Sequence, residues 1–105
     1  MQAYEIGALL EQRGQSGRLY LEFLRHPTMS LGVYSIKAGG VDPQQPHRED
    51  EVYYVLSGRG QIRVGDEDRP VQAGSIVFVA QRVPHRFHTI TEDLDILVLF
   101  APAEA

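Results

Sequence analysis

Short apolar runs separated by turn-forming residues recur along most of this chain. Leu31–Lys37 and Leu94–Phe100 have the β-branched and aromatic composition of strands, and Thr91–Asp93 before the second one is typical of a turn. The spacing predicts about eight short strands with turns roughly every 8–12 residues. No crossover helix separates these strands, so we expect an all-β, antiparallel double-sheet sandwich or barrel. The tail Ala101–Ala105 is expected to be frayed.

Two finer expectations concern the ends and turns of these elements. Ile6–Gln12 has apolar residues at helical spacing and predicts one short N-terminal helix, with Gly14 as its stop. Val52–Leu56 and Gln61–Val64 both have strand composition, and Ser57–Gly60 between them contains two glycines. This arrangement predicts a hairpin whose turn is Ser57–Gly60.

The composition limits the classes of protein and partner. A length of 105 residues suits a single domain, 1–105. The absence of cysteine excludes disulfides and thiolate metal sites, and the formal net charge of −4 argues against nucleic acid as a partner. Neither a signal-peptide pattern nor an apolar run of membrane-spanning length is present in the sequence. We therefore expect a cytoplasmic protein with no membrane partner.

The stretch 45–58 carries the residues with most chemical potential. His47 and Glu51 are four residues apart at the start of a strand, and their side chains would point the same way along an extended backbone. His85 lies on a distant strand and could complete a metal site with them. Glu49 is an alternative ligand, because it lies on the same side as His47 and Glu51 if the backbone is fully extended.

The spacing of this stretch resembles the first motif of the cupins, a family of small jelly-roll barrels. That motif reads Gly, about five residues, His-x-His, three or four residues, Glu, six residues, Gly. In this chain Gly40, His47, Glu51 and Gly58 stand at matching positions, so the motif covers about 40–58. Gln45 replaces the first histidine.

A second cupin motif is matched more loosely at about 74–89. It reads Gly, five residues, Pro-x-Gly, two residues, His, three residues, Asn. Gly74 and His85 stand at its first glycine and its histidine, whereas Ala80, Arg82 and Thr89 replace the proline, the second glycine and the asparagine.

The resemblance to small single-domain cupins (the cupin 2 conserved barrel family) implies the ligands of a metal. It places His47, Glu51 and His85 around one divalent ion, with Gln45 in the fourth place, where its side chain touches the ion, holds a bound water or points away. Two histidines and one carboxylate suit Fe, Mn, Ni or Zn, so the sequence does not select the metal.

Three aromatic residues are candidates for the lining of a pocket. Tyr53 has the same strand parity as Glu51, and Phe87 has the same parity as His85, so both would face the metal unless they are core packing. Tyr34 could narrow the same pocket. His88 is expected on the opposite face from His85, and His26 at a turn.

The function predicted from these features is a metal-binding small cupin whose barrel has a pocket for a small-molecule ligand or substrate. It would be a metal-dependent enzyme, such as a dioxygenase or isomerase, or a non-catalytic binding or sensor module. A barrel with a purely structural metal is a third hypothesis. Exposed edge strands and the apolar segment Ile6–Leu24 further predict a homodimer, as the resemblance also implies.

Overall fold

One antiparallel sheet, bent over on itself, forms most of the fold. The structure is a computed structural model that describes residues 1–43 and 45–105. Its helix and strands, in chain order, are α1 (Ile6–Ser16), β1 (Tyr20–His26), β2 (Met29–Ile36), β3 (Asp50–Val64), β4 (Glu67–Gln72), β5 (Ile76–Val79) and β6 (His85–Ala101).

The two long strands β3 and β6 connect the two layers of the barrel. The sheet order is β1-β2-β6-β3-β4, and β5 also pairs with β3. The first part of β3 lies between β5 and the end of β6, whereas its second part lies between β4 and the beginning of β6. All these pairings are antiparallel. The expected all-β jelly-roll class with one short N-terminal helix is therefore confirmed.

The expected hairpin between Val52–Leu56 and Gln61–Val64 is wrong. Both segments belong to β3 and pair with β6, and Ser57–Gly60 is a bent part of the same strand. The pairing of β3 with β6 shifts register three times between Val55 and Gln61, as at β-bulges. Thr91–Asp93 is likewise part of β6 and not a turn. The chain bends at these places without reversing, so the described residues form fewer and longer strands than expected.

Gly58 lies at the bend of β3 and has a backbone that other residues rarely adopt. Its φ is +95°, and a Cβ atom added there would collide with the carbonyl oxygen of Asp93 on β6. Only glycine meets both conditions without strain, because it has no Cβ. The bend thus depends on a glycine that allows close approach of the two long strands.

The bend brings the inner faces of the two layers together. The ring of Tyr53, on the first part of β3, contacts the ring of Phe87, on the first part of β6, with a distance of 4.9 Å between the ring centroids. Both residues are buried, as are Ile62 and Ile96 in the same cluster. Burial of these large side chains supplies most of the free energy that holds the layers together.

The helix is longer than expected and packs on the sheet. It continues through Gly14 and ends at Ser16, because Gly17 adopts the left-handed conformation (φ 74°) that commonly ends helices. Leu9 is its buried residue, and the ring of Tyr4 just before it meets that of Phe23 on β1 at 5.0 Å. Among the described residues, no helix is long and apolar enough to cross a membrane.

The chain after β6 is docked, so the expectation of a frayed tail is wrong. The amide of Ala103 donates to the carbonyl of Pro27, and the amide of Glu104 donates to the Ser30 hydroxyl at 3.0 Å. The amide of Ala105 donates to the carboxylate of Glu49 at 3.1 Å. These bonds bring the segment 102–105 against the mouth of the barrel.

Candidate metal centre

The fold brings His47, Glu51 and His85 together. Each offers one ligand atom, and these atoms all lie within 4.8 Å of one another. Glu51 is 1% exposed, His85 is buried, and His47 is partly buried. Three of the four ligands expected from the sequence therefore meet at one point inside the barrel.

Pairing between the two long strands and between their leading loops explains this convergence. Glu51 lies in the first part of β3 and His85 in the first part of β6. These two parts belong to opposite layers of the barrel. The amide of Arg82 donates to the carbonyl of His47 at 2.6 Å, and the amide of Gln81 donates to Asp50 at 2.9 Å. These two bonds tie the loop before β6 to the segment that carries His47.

The distances within the group suit a shared ion. Glu51 Oε1 lies 3.1 Å from His85 Nε2 and 4.0 Å from His47 Nε2. Two atoms that each bind an ion at about 2.0–2.2 Å are at most about 4.4 Å apart. Among residues 1–43 and 45–105, neither buried oxygen of Glu51 has a donor in hydrogen-bonding geometry. A buried carboxylate needs such compensation, and a divalent cation would supply it.

Both imidazoles are oriented with Nε2 toward Glu51. His85 Nδ1 lies 2.9 Å from the carbonyl oxygen of Val83, and a carbonyl can only accept, so Nδ1 carries the proton. His47 Nδ1 lies 3.1 Å from Glu104 Oε2. Histidines that bind a metal through Nε2 commonly donate the Nδ1 proton to an acceptor. Both rings have an acceptor at Nδ1 and leave Nε2 directed toward the candidate site.

The electrostatics of the group favour positive charge. The hydrogen bond to Glu104 raises the pKa of His47, and the charges of Glu51 and Glu104 add to this effect. Burial opposes the charged form of His85, but the nearby Glu51 carboxylate and Val83 carbonyl outweigh it, so the pKa of His85 is also raised. A cation bound at Nε2 would satisfy the same negative environment.

Glu49, His88 and His26 contact residues outside the group, and the side chain of Gln45 is exposed. Gln45 is exposed and is not among the described residues that line the cavity beside the group. Glu49 is buried, but its carboxylate accepts the amide of Ala105, and it is not a member of the group. His88 contacts Asp68 at 2.6 Å, and His26 contacts Gln2 at 2.8 Å, both away from the site.

A cavity of about 230 Å³ opens beside the group. Its lining is mainly aromatic and aliphatic and includes two of the candidate ligands; the residues are Leu19, Tyr20, Tyr34, Pro43, His47, Glu51, Tyr53, Val98, Phe100 and Glu104. Of the three aromatic residues considered from the sequence, Tyr34 and Tyr53 are in this lining. Phe87 is buried in the core beside Tyr53.

Buried polar contacts hold the wall of the cavity in place. The Tyr34 hydroxyl donates to Asp42 Oδ1 at 2.5 Å, and Asp42 Oδ2 accepts the amide of Phe87 at 2.8 Å. Burial, together with the bond to Asp42, raises the pKa of Tyr34. Burial also raises the pKa of Tyr20. Both phenols therefore stay protonated near neutral pH, and Tyr34 remains a donor.

Sequence reasoning did not find Asp42 or Glu104. Asp42 precedes a proline in a loop, and Glu104 follows β6 in the segment expected to be frayed. Isolated acids in such segments carry no spacing signal toward His47. Only the pairing of β1, β2 and β6 brings them to the cavity.

The fold and the site together define a small jelly-roll barrel with a candidate metal centre beside an apolar cavity. The model of the cupin domain family (Cupin_2) matches residues 32–101. The chain belongs to the cupin family.

Relatives and solved structures agree with this assignment. The chain is 47% identical over 105 residues to the protein SCO3923 of Streptomyces coelicolor, with 100% of both chains covered. It is similar to the structure of TT1209 from Thermus thermophilus, with a TM-score of 0.77, 22% identity and 98% and 99% of the two chains covered. It is also similar to the DMSP lyase DddQ from Ruegeria pomeroyi DSS-3, with a TM-score of 0.67 and 26% identity. That match covers 72% of this chain and 39% of the lyase.

Proposed function

We propose that this protein binds one divalent metal ion through His47, Glu51 and His85 and admits a small, largely apolar molecule to the cavity beside it. One observation carries the proposal: His47 and Glu51 belong both to the ligand group and to the lining of the cavity. Three protein ligands leave positions open, and here these positions would face the cavity. A purely structural ion would have a closed shell, so this arrangement supports a working site.

Metal-dependent catalysis is the activity that we favour. A bound ion would supply Lewis acidity or activation of a small ligand at its open positions. The protein would contribute a largely apolar cavity walled by Tyr53 and Phe100. The Tyr34 hydroxyl, whose single proton is donated to Asp42, would offer its oxygen as a hydrogen-bond acceptor. The DMSP lyase DddQ, of which a part has a similar fold, is an example of an enzyme among the similar structures.

A non-catalytic binding module is the second candidate. The mainly apolar lining of the cavity is compatible with it, because binding alone needs a complementary surface and no reacting group. The two candidates differ in what happens to a bound molecule. The metal-loaded protein should convert a ligand that fits the cavity if it is an enzyme, and should release it unchanged if it is a binding module.

Metal retention tests the shared part of the proposal. We expect the purified protein to hold one ion per chain, measured by elemental analysis after dialysis against a mild chelator. Glu51→Gln should lose the ion, because an amide oxygen is a neutral and weaker ligand. Glu49→Gln is the matched control, a buried carboxylate outside the ligand group, and should keep it. Gln45→Ala should reduce retention only modestly.

The outcomes of this series are distinct. Loss of metal from Glu49→Gln but not from Glu51→Gln would place the ion elsewhere. Retention by both variants would contradict the metal centre. Loss from Gln45→Ala as complete as from Glu51→Gln would make Gln45 a full ligand and remove the argument for an open position.

We also propose that the protein is a homodimer. Ile76 and Phe78 alternate along β5 and thus share one face, and Tyr54 lies opposite Ile76 on β3. These three residues are 70%, 61% and 42% exposed. A contiguous apolar face of this kind is typical of an interface. A cytoplasmic location and a single domain spanning 1–105 stay predictions.

A further inference from the structure

The residue with the least expected role at the site is Glu104. It lies beyond β6, yet its side chain lines the cavity, and its Oε2 is 3.1 Å from His47 Nδ1. His47 itself stands in the loop before β3, so no sheet pairing of its own backbone sets the direction of its ring. The contact with Glu104 is therefore well placed to determine how this ring is presented.

The backbone of the segment 102–105 is anchored at several points. The amide of Glu104 donates to the hydroxyl of Ser30, a fully buried residue of β2. Arg25 of β1 donates to the carbonyl of Glu104 at 2.5 Å, and Glu49 accepts the amide of Ala105. Three different parts of the fold thus hold the backbone at Glu104 in position. This segment is fixed more firmly than a chain end that only touches the surface.

We propose that Glu104 is a positioning residue of the metal centre: its carboxylate accepts the Nδ1 proton of His47 and directs Nε2 of that ring toward the ion. The inference rests on the proposed metal site. A carboxylate accepts only, so Nδ1 must be the protonated nitrogen of a neutral His47. Val83 performs the same task for His85 through its carbonyl oxygen. Each histidine of the site therefore has its own acceptor behind it.

A direct role for Glu104 as a fourth ligand fits the geometry less well. Its oxygen meets His47 at Nδ1, whereas Glu51 meets the same ring on the side of Nε2. The two nitrogens of an imidazole point in different directions, so a carboxylate bound at Nδ1 is directed away from an ion at Nε2. Glu104 is accordingly not a member of the group of ligand atoms within 4.8 Å.

The affinity for Co²⁺ or Zn²⁺, measured by competition with a chelating dye, tests this role. Glu104→Ala should bind the ion about 10–100-fold more weakly than the wild type, the usual effect of removing an acceptor behind a ligating histidine. Glu104→Gln should recover part of the loss, because its amide oxygen can still accept the proton. Glu92→Ala, which removes a carboxylate paired with Arg59 at 2.9 Å, is the control and should bind like the wild type.

A second measurement does not depend on metal or on activity. In the metal-free protein, nitrogen chemical shifts of neutral His47 should identify the Nδ1–H tautomer. In Glu104→Ala this preference should weaken, while His85 keeps its own. Circular dichroism of each variant checks that the fold is retained.

Three results decide between the possibilities. Unchanged metal affinity in Glu104→Ala, with Glu51→Gln strongly weakened, would overturn the role of Glu104 and leave the metal centre intact. Unchanged affinity in both would overturn the metal centre itself. An unchanged tautomer of His47 in Glu104→Ala would overturn the positioning role regardless of the metal result.

Discussion

Arg82 and Thr89 have left-handed backbone conformations that residues other than glycine and asparagine rarely adopt. Their φ angles are 65° and 48°. They stand where the second cupin motif has a glycine and an asparagine, the two residue types that adopt this conformation most readily. At Arg82 this conformation accompanies a hydrogen bond of 2.6 Å that its backbone amide donates to the carbonyl of His47. Strain of this kind is often retained where it serves a site.

Relief of this strain at Thr89 is the first prediction. Thr89→Asn should increase the free energy of unfolding by about 1 kcal/mol, because a β-branched side chain is the least suited to positive φ and asparagine is among the best suited. Thr91→Asn, on an exposed residue of the same strand with an ordinary φ, is the matched control. Chemical denaturation of both variants gives the comparison. Equal effects of the two substitutions would contradict the strain at Thr89.

At the scale of elements, the bend in β3 decides how the barrel closes. The register shifts between Val55 and Gln61 let one strand pair with both parts of β6. This arrangement places Glu51 and His85, which are 34 positions apart in the chain, on facing walls. The bend is therefore part of the construction of the candidate metal centre.

Two glycines with almost the same φ angle test the importance of this bend. Gly58 has φ +95° and Gly74 has φ +94°, but a Cβ at Gly58 would collide with the Asp93 carbonyl, whereas one at Gly74 meets nothing within 4 Å. Gly74→Ala should cost about 1–2 kcal/mol from backbone strain alone. Gly58→Ala should cost about 3 kcal/mol or more, because overpacking is added to that strain.

Urea unfolding of the two glycine variants measures this difference. If Gly58→Ala gives too little folded protein for a transition, its soluble yield relative to Gly74→Ala serves as the readout. Equal stability of the two variants would show that the close approach of β3 and β6 does not limit the bend.

At the scale of the whole molecule, the exposed apolar face of β3 and β5 should be covered by a second copy of the chain. Sedimentation at micromolar concentration should give a species of twice 11.8 kDa. The double variant Ile76→Asp, Phe78→Asp should give the single chain, because like charges would face each other across the two-fold axis. Val41→Asp, at an exposed loop residue, is the control and should remain dimeric.

A wild-type protein that sediments only as the single chain would contradict the dimer. A double variant that stays dimeric would place the interface on another surface, such as the segment Ile6–Leu24 considered from the sequence.

The sequence by itself determined the class of the fold and the main residues of the candidate site. Alternation of apolar residues predicts half-buried strands because strand side chains repeat every two residues, and the spacing of His47, Glu51 and Gly58 is a local property of one stretch. Such local patterns can be interpreted from the sequence because they do not depend on which distant segments pair. The same reasoning failed at Ser57–Gly60, because glycine pairs indicate a change of direction without distinguishing a bend from a reversal.

Only the tertiary structure decided which distant residues meet. The continuity of β3 and β6 and the docking of Glu104 against His47 both depend on pairings between segments far apart in the chain. No periodicity in the sequence encodes such a contact, since the free energy that selects it comes from burial and hydrogen bonding in the assembled barrel. For the same reason, the acceptor behind His47 could be found only once the segment 102–105 was placed.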